Sequence, residues 1–252
     1  MLIQCRSRFR PVEVRVRSGF WRFGTRMICI FWGGPLSITS KSSTRRPLRA
    51  TKDWGKSSGM AKLYFNYSTM NAGKSTLLLQ ASHNYIERGM QTYLMTANFD
   101  DRSGTGQIGS RIGLAAPADT YSVTSDLYAM VDARLKAGPC ACVLIDEAQW
   151  MTRDQVWQLA RAVDDLGVPI MCYGLRVDFR GELFPGSAAL LALADEMREV
   201  RTICHCGRKA TMVIRTDAAG TALTQGAQVE VGGNDRYVSL CRRHWRMAVG
   251  KD

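Results

Sequence analysis

The chain has 252 residues, 46% of them hydrophobic, and a formal net charge of +12. That leaves room for one large or two small domains with a real core. Thirteen of the 34 Lys and Arg fall in residues 1–59 beside two acids, Glu13 and Asp53, so residues 60–252 hold 21 basic against 20 acidic side chains. The near-neutral remainder argues against nucleic acid as a partner of the folded part.

Residues 1–59 read as a basic N-terminal extension, either disordered or translated from upstream of the true start. The apolar piece Met27–Trp32 is too short to span a bilayer. It makes a poor signal peptide, because Gly33-Gly34-Pro35 interrupts the apolar region. An Arg- and Ser-rich transit peptide is a further reading. The preferred one starts the protein at Met60, which opens directly into the first core strand. No transmembrane helix and no membrane partner is expected.

From Lys62 onward strands and helices alternate. Leu63–Tyr67 reads as a strand. A helix follows from Gly73 to about Arg88, closed by Gly89, and Thr92–Ala97 reads as a second strand. Residues 98–120 read as one long Gly/Asp/Ser-rich connection, a length that is usually functional. Ser125–Ala137 reads as a helix with Leu127, Met130, Val131 and Leu135 on one face. Cys142–Ile145 is a buried strand, Thr152–Leu166 a helix with Thr152 as N-cap, and Val168–Tyr173 another buried strand. A loop over 174–186 and a helix from Ser187 to about Arg198 complete this part. Short, unalternating apolar strands between helices predict an α/β fold with a parallel sheet covered on both faces. After Arg201 short β-prone pieces (Thr211–Arg215, Gln228–Val231, Tyr237–Leu240) predict a small β-ribbon module. The expected organisation is thus 1–59 extension, 60–200 nucleotide domain, 201–252 module and tail.

Three constellations carry chemistry. Ser68-Thr69-Met70-Asn71-Ala72-Gly73-Lys74-Ser75 lies between a strand and a helix and reads as a phosphate-binding loop, with Ser68 where the usual first Gly stands. Its backbone N–H groups and the helix N-terminus suit a phosphate; Lys74 reaches the β/γ-phosphates and Ser75 serves Mg²⁺. About seventy residues on, four apolar residues precede Asp146-Glu147. Such a pair after a strand is often a mere helix cap. Behind a phosphate loop it reads as a Walker-B element, with Asp146 for Mg²⁺ and Glu147 placed to accept a proton. Finally, Cys204-x-Cys206 and Cys241-x₂-His244 are separated by 34 residues and offer four N/S ligands on two hairpin-like turns, which suits a structural Zn²⁺. His205, squeezed between two Cys, is expected outside the shell. Cys140, Cys142 and Cys172 read as small buried hydrophobes. Reduced thiols beside a nucleotide site predict the cytoplasm.

Five strings in order (STMNAGKS, IDEAQ, CYGLRVDFRGELF, CHCGRKA and GGNDRYVSLCRRH) resemble the type II thymidine kinases in their bacterial form. The resemblance covers 60–250 and none of 1–59. It implies a RecA-like P-loop domain followed by a zinc-binding lasso module, and transfer of the ATP γ-phosphoryl to the 5′-hydroxyl of thymidine, giving dTMP in nucleotide salvage. It implies ATP bound by Ser68–Ser75 together with Asp146, Glu147, Ala148 and Gln149, and Mg²⁺ at Ser75 and Asp146. Glu147 is the implied general base, and Arg102 is implied near the phosphates. The base pocket falls on Met70, Leu175, Phe179, Phe184, Val229, Glu230, Val231, Gly232, Gly233 and Tyr237, and zinc on Cys204, Cys206, Cys241 and His244. A homotetramer with feedback inhibition by dTTP is implied as well. The rival readings are a helicase-like P-loop motor fragment, which the near-neutral charge and the lack of a second RecA-like domain oppose, and a nucleotide sensor.

Overall fold

The computed structural model describes residues 61–98, 106–228 and 236–250, all within one compact unit, Asp53–Asp252. The extension 1–59, Met60, Arg102 and Val229–Gly233 lie outside the described residues.

Among the described residues the elements follow in order: β1 Leu63–Ser68, α1 Lys74–Ile86, β2 Thr92–Ala97, β3 Gln107–Gly109, β4 Ala115–Pro117, β5 Asp119–Tyr121, α2 Leu127–Ala137, β6 Cys142–Ile145, a 3₁₀ turn Ala148–Trp150, α3 Arg153–Leu166, β7 Ile170–Leu175, α4 Pro185–Leu193, β8 Glu196–Glu199, β9 Thr202–Ile203, β10 Lys209–Ala210, β11 Met212–Arg215, β12 Tyr237–Leu240 and α5 Arg242–Ala248. Six strands form one sheet in the order β5-β2-β6-β7-β1-β8, every neighbouring pair parallel.

The unalternating strands are explained by what covers them. In β6 all four residues are buried. Val143 and Ile145 join Leu63, Phe65, Met95, Ile170 and Cys172 in a core with Val131 of α2, Leu159 of α3 and Leu190 of α4. Cys142 and Leu144 point to the opposite face and meet Leu78 and Leu79 of α1 and Ile108 of β3. Successive strand side chains alternate between faces, so both alternating sets must be apolar. The α3 start is fixed by a full capping box: Thr152 accepts from the Gln155 N–H, and the Gln155 side chain accepts from the Thr152 N–H. Such a cap contributes about 1 kcal/mol.

Several elements depart from the sequence reading. The connection 98–120 is not structureless. It holds the antiparallel hairpin β3–β4 and the edge strand β5, which pairs with β2. The helix expected to run to Arg198 stops at Leu193, and Glu196–Glu199 pairs with β1 instead. Asp195 supplies the reason: its N–H donates to the Leu63 carbonyl at 2.9 Å and its carboxylate accepts from the Leu63 N–H at 2.7 Å. That clamp starts a strand at the open edge of β1, where tertiary pairing overrides helix propensity. In the module, β11 pairs with β12 as a ribbon, and the supposed tail forms α5. Its core is Cys204, Ala210, Ile214, Leu240, Cys241 and Trp245.

Candidate active site and metal centre

Parallel pairing brings the C-terminal ends of β1, β2, β6 and β7 to one edge of the sheet, where open α/β sheets place their ligands. The phosphate loop leaves β1 and the Asp146-Glu147 pair leaves β6, with β7 between them. At strand spacing the two lie about 10 Å apart. A cavity of about 440 Å³ occupies this edge, lined by the loop from Met70 to Thr76, by Thr96, Asp146, Glu147 and Leu175, and by the hairpin segment Gln107–Ile112.

The loop is shaped by two left-handed residues, Asn71 (φ 62°) and Gly73 (φ 83°). Gly takes that conformation without the cost a side chain meets. Gly73 leads straight into α1. The Ser68 hydroxyl donates to the Thr69 carbonyl at 2.6 Å, so Ser at the first position supplies a bond that Gly lacks. Lys74 is 8% exposed, and its ammonium lies 3.4 Å from the Thr69 carbonyl.

Asp146 is 3% exposed. Burial and the neighbouring Glu147 charge push its carboxyl up to about 7, against the opposing pull of the Ser75 hydroxyl and Lys74. Glu147, 9% exposed, holds a left-handed backbone (φ 53°), unusual for a residue with a side chain. Its N–H donates to Asp146 Oδ1 at 3.0 Å, and its carbonyl accepts the Tyr121 hydroxyl at 3.1 Å. The strained turn is therefore tied down on both sides.

The sequence-predicted residues do not all fall at the cavity. Ala148 and Gln149 are buried behind Glu147, outside its lining. Phe179 and Phe184 also lie outside it. Phe179 sits beneath the Arg215 guanidinium, 4.1 Å from it, and Phe184 packs edge-on to Trp150. Met70 and Leu175 do line the cavity. Tyr237 stands on β12 with its carbonyl 3.5 Å from Asn71 Nδ2. Two residues on, the Ser239 hydroxyl donates to the Met70 carbonyl at 2.6 Å, so the module touches the phosphate loop directly. Sequence reading missed Thr96, Tyr121, Ser239 and the hairpin. Of these the hairpin had a local signal, the turn Ser110-Arg111-Ile112-Gly113, where the Gly113 N–H donates to the Ser110 carbonyl at 3.1 Å.

In the module, Cys204, Cys206, Cys241 and His244 bring their ligand atoms within 4.8 Å of one another. Cys204 Sγ and Cys241 Sγ stand 3.3 and 3.6 Å from His244 Nδ1; Cys206 Sγ is 3.9 Å from Cys241 Sγ. Tetrahedral Zn²⁺ with Zn–S of about 2.3 Å and Zn–N of about 2.0 Å needs S···S edges of about 3.8 Å and S···N edges of about 3.5 Å. These three distances match those edges, the remaining pairs lie within 4.8 Å, and no described cysteine is in a disulfide. Burial raises the Cys204 thiol, yet backbone hydrogen bonds at Cys206 and Cys241 and the His244 side chain bring it down to about 6, toward the thiolate a metal needs. The short Cys-x-Cys spacing works because β9 and β10 close a tight knuckle, with Gly207 at φ 77° and its N–H on the Cys204 carbonyl. The second pair is not on a hairpin turn: Cys241 is the N-cap of α5, which carries His244 in its first turn. His205 lies outside the four-atom group, its ring stacked on His244 at 4.3 Å.

A parallel sheet with a phosphate loop and a Walker-B pair at one edge defines a P-loop phosphotransferase or hydrolase. The thymidine kinase family model matches residues 61–245. A thymidine kinase from Jannaschia sp. (strain CCS1) is 85% identical over 191 residues, 76% of this chain and 98% of that one. Those from Ruegeria pomeroyi and Agrobacterium fabrum are 73% and 63% identical, over 76% and 74% of this chain and 96% of each relative. The chain belongs to the thymidine kinase family. It is an enzyme of thymidine phosphorylation, and that membership decides for the kinase over the motor reading. Among the described residues, no helix is long and apolar enough to cross a membrane.

Proposed function

We propose that the cavity holds the ATP phosphates and that Glu147 deprotonates the 5′-hydroxyl of thymidine. The observation that carries this is the placement of Glu147 on the cavity wall beside Lys74, Ser75 and Asp146. The proton leaves O5′ for the Glu147 carboxylate as O5′ bonds to the γ-phosphorus. The bond from that phosphorus to the β–γ bridging oxygen breaks, and ADP leaves. Lys74 and the loop N–H groups stabilise the charge that collects on the phosphates.

Ser75 and Asp146 offer oxygen donors alone, the set a hard divalent cation takes. When bound there, Mg²⁺ neutralises charge on the β- and γ-phosphates. Zn²⁺ belongs to Cys204, Cys206, Cys241 and His244 as a structural ion. The thymidine base is assigned to Met70, Leu175, Phe179, Phe184 and Tyr237 together with Val229, Glu230, Val231, Gly232 and Gly233, and the phosphates to Arg102. Ala148 and Gln149, buried behind Glu147, support the turn that carries it. The remaining parts of the reading, which rest on family membership, are a homotetramer, feedback inhibition by dTTP, a cytoplasmic location, and the division into a kinase domain at 60–200 and a zinc module at 201–252.

The test offers labelled ATP and Mg²⁺ to the purified protein with thymidine or with other nucleosides. Glu147→Gln is expected to lower kcat about 10³-fold while binding of a non-hydrolysable ATP analogue persists. Full turnover in that variant would remove Glu147 from the base role.

A further inference from the structure

Gln149 is 0% exposed and stands two residues beyond Glu147, at the centre of the 3₁₀ turn. Its Oε1 accepts the backbone N–H of Leu175 at 2.9 Å. A backbone N–H can only donate, so this bond settles which end of the amide faces which way. The NH₂ end must then face Glu147, and it donates to Glu147 Oε2 at 2.5 Å. An ionised carboxylate is an acceptor alone, which matches that orientation. Space for the amide is made by Gly174: a Cβ there would come within 3.0 Å of both the Gln149 N and its Oε1. Glu147 lines the cavity and Gln149 does not, so the amide grips the carboxylate from the protein side.

We propose that Gln149 is a positioning residue. It links the end of β7 to the Glu147 carboxylate and fixes the direction in which that carboxylate meets the acceptor hydroxyl. This inference rests on the general-base reading above. The bond is charge-assisted and buried, the setting in which a hydrogen bond constrains geometry most. Neither of the near-isosteric replacements does both jobs from this site. Leu fills the volume and cannot donate. Glu keeps an acceptor for Leu175 and sets one carboxylate against another.

The experiment is steady-state kinetics with thymidine and ATP on Gln149→Leu, Gln149→Glu, Glu147→Gln and the double variant Glu147→Gln/Gln149→Leu. Both Gln149 variants are expected to lose roughly 10²-fold in kcat, the scale of a small misplacement of a reacting group. The thymidine KM and the affinity for a non-hydrolysable ATP analogue stay within about threefold, the split that separates a transition-state effect from general damage. In the Glu147→Gln background, Gln149→Leu adds no further loss, since groups acting as one unit are not additive. A Gln149→Leu loss that recurs in full on top of Glu147→Gln overturns the inference, as does a full rate in Gln149→Glu. Full turnover in Glu147→Gln would instead remove the base reading beneath it. If Gln149→Leu does not fold, Gly174→Ala replaces it. This change presses on the Gln149 backbone N and Oε1 together without altering the side chain, and a folded Gly174→Ala protein with unchanged kcat counts against the proposal.

Discussion

The two halves of this molecule hold their functional groups in different ways. Around the phosphate loop, position is set by burial. Val143 and Ile145 lock into one core and Cys142 and Leu144 into another, so the β6 end that delivers Asp146 and Glu147 cannot shift without disturbing both faces of the sheet. In the module the described core is six buried side chains, of which Cys204 and Cys241 belong to the cluster that could hold a metal ion. So few apolar groups do not offset the entropy of ordering the segment. The comparison teaches that the Asp146-Glu147 turn is held by burial on both faces of the sheet, whereas the module gathers its few buried groups around the four-residue Cys/His cluster.

The largest break in that comparison comes from the cluster. Cys241→Ser is expected to abolish stoichiometric zinc and to lower thymidine affinity more than tenfold, because structural zinc supplies much of a small module's folding energy. ATP-analogue affinity should fall less. Zinc analysis and titration with each ligand check it. Equal losses at both sites would show that the sheet half also leans on the ion.

How much of this was legible in the residues follows the same division. That Lys74, Ser75, Asp146 and Glu147 share one cavity, and that Cys204, Cys206, Cys241 and His244 form one cluster, could be read because each set lies in short strings of fixed residue types. The capping box at Thr152 was half legible, as a cap. The β3–β4 hairpin left only the turn Ser110–Gly113 as a signal, because three-residue strands in a Gly- and Ser-rich stretch have no hydrophobic period to detect. β8 was not legible: its Glu-Met-Arg-Glu sequence carries no strand signal and becomes a strand through the Asp195 clamp on Leu63. The position of Gln149 was visible but its role was not. A buried amide shared between a carboxylate and a distant backbone N–H leaves no local trace.

Within the sheet half the next effect is a packing loss. Leu159→Ala on α3 empties a fully buried site and should cost about 2–5 kcal/mol, read by urea unfolding, with zinc retained. If the midpoint does not move, burial is not what fixes this half. The smallest effect sharpens the contrast. Thr152→Ala removes a hydroxyl that accepts the Gln155 N–H at 3.2 Å and should cost about 1 kcal/mol with kcat unchanged. A change in kcat would mean that the start of α3 reaches the catalytic turn just before it.

The bond from Ser239 to the Met70 carbonyl has a consequence for modularity. Ser239 precedes Cys241 of the Cys/His cluster by two residues, and its hydroxyl donates to the Met70 carbonyl. A zinc knuckle grafted from an unrelated protein would bind its ion and still deny the loop that donor. The module is therefore not an exchangeable cassette: the boundary between two independently replaceable parts cannot be drawn at β12, because the strand that leads into Cys241 of the Cys/His cluster also braces the loop at Met70.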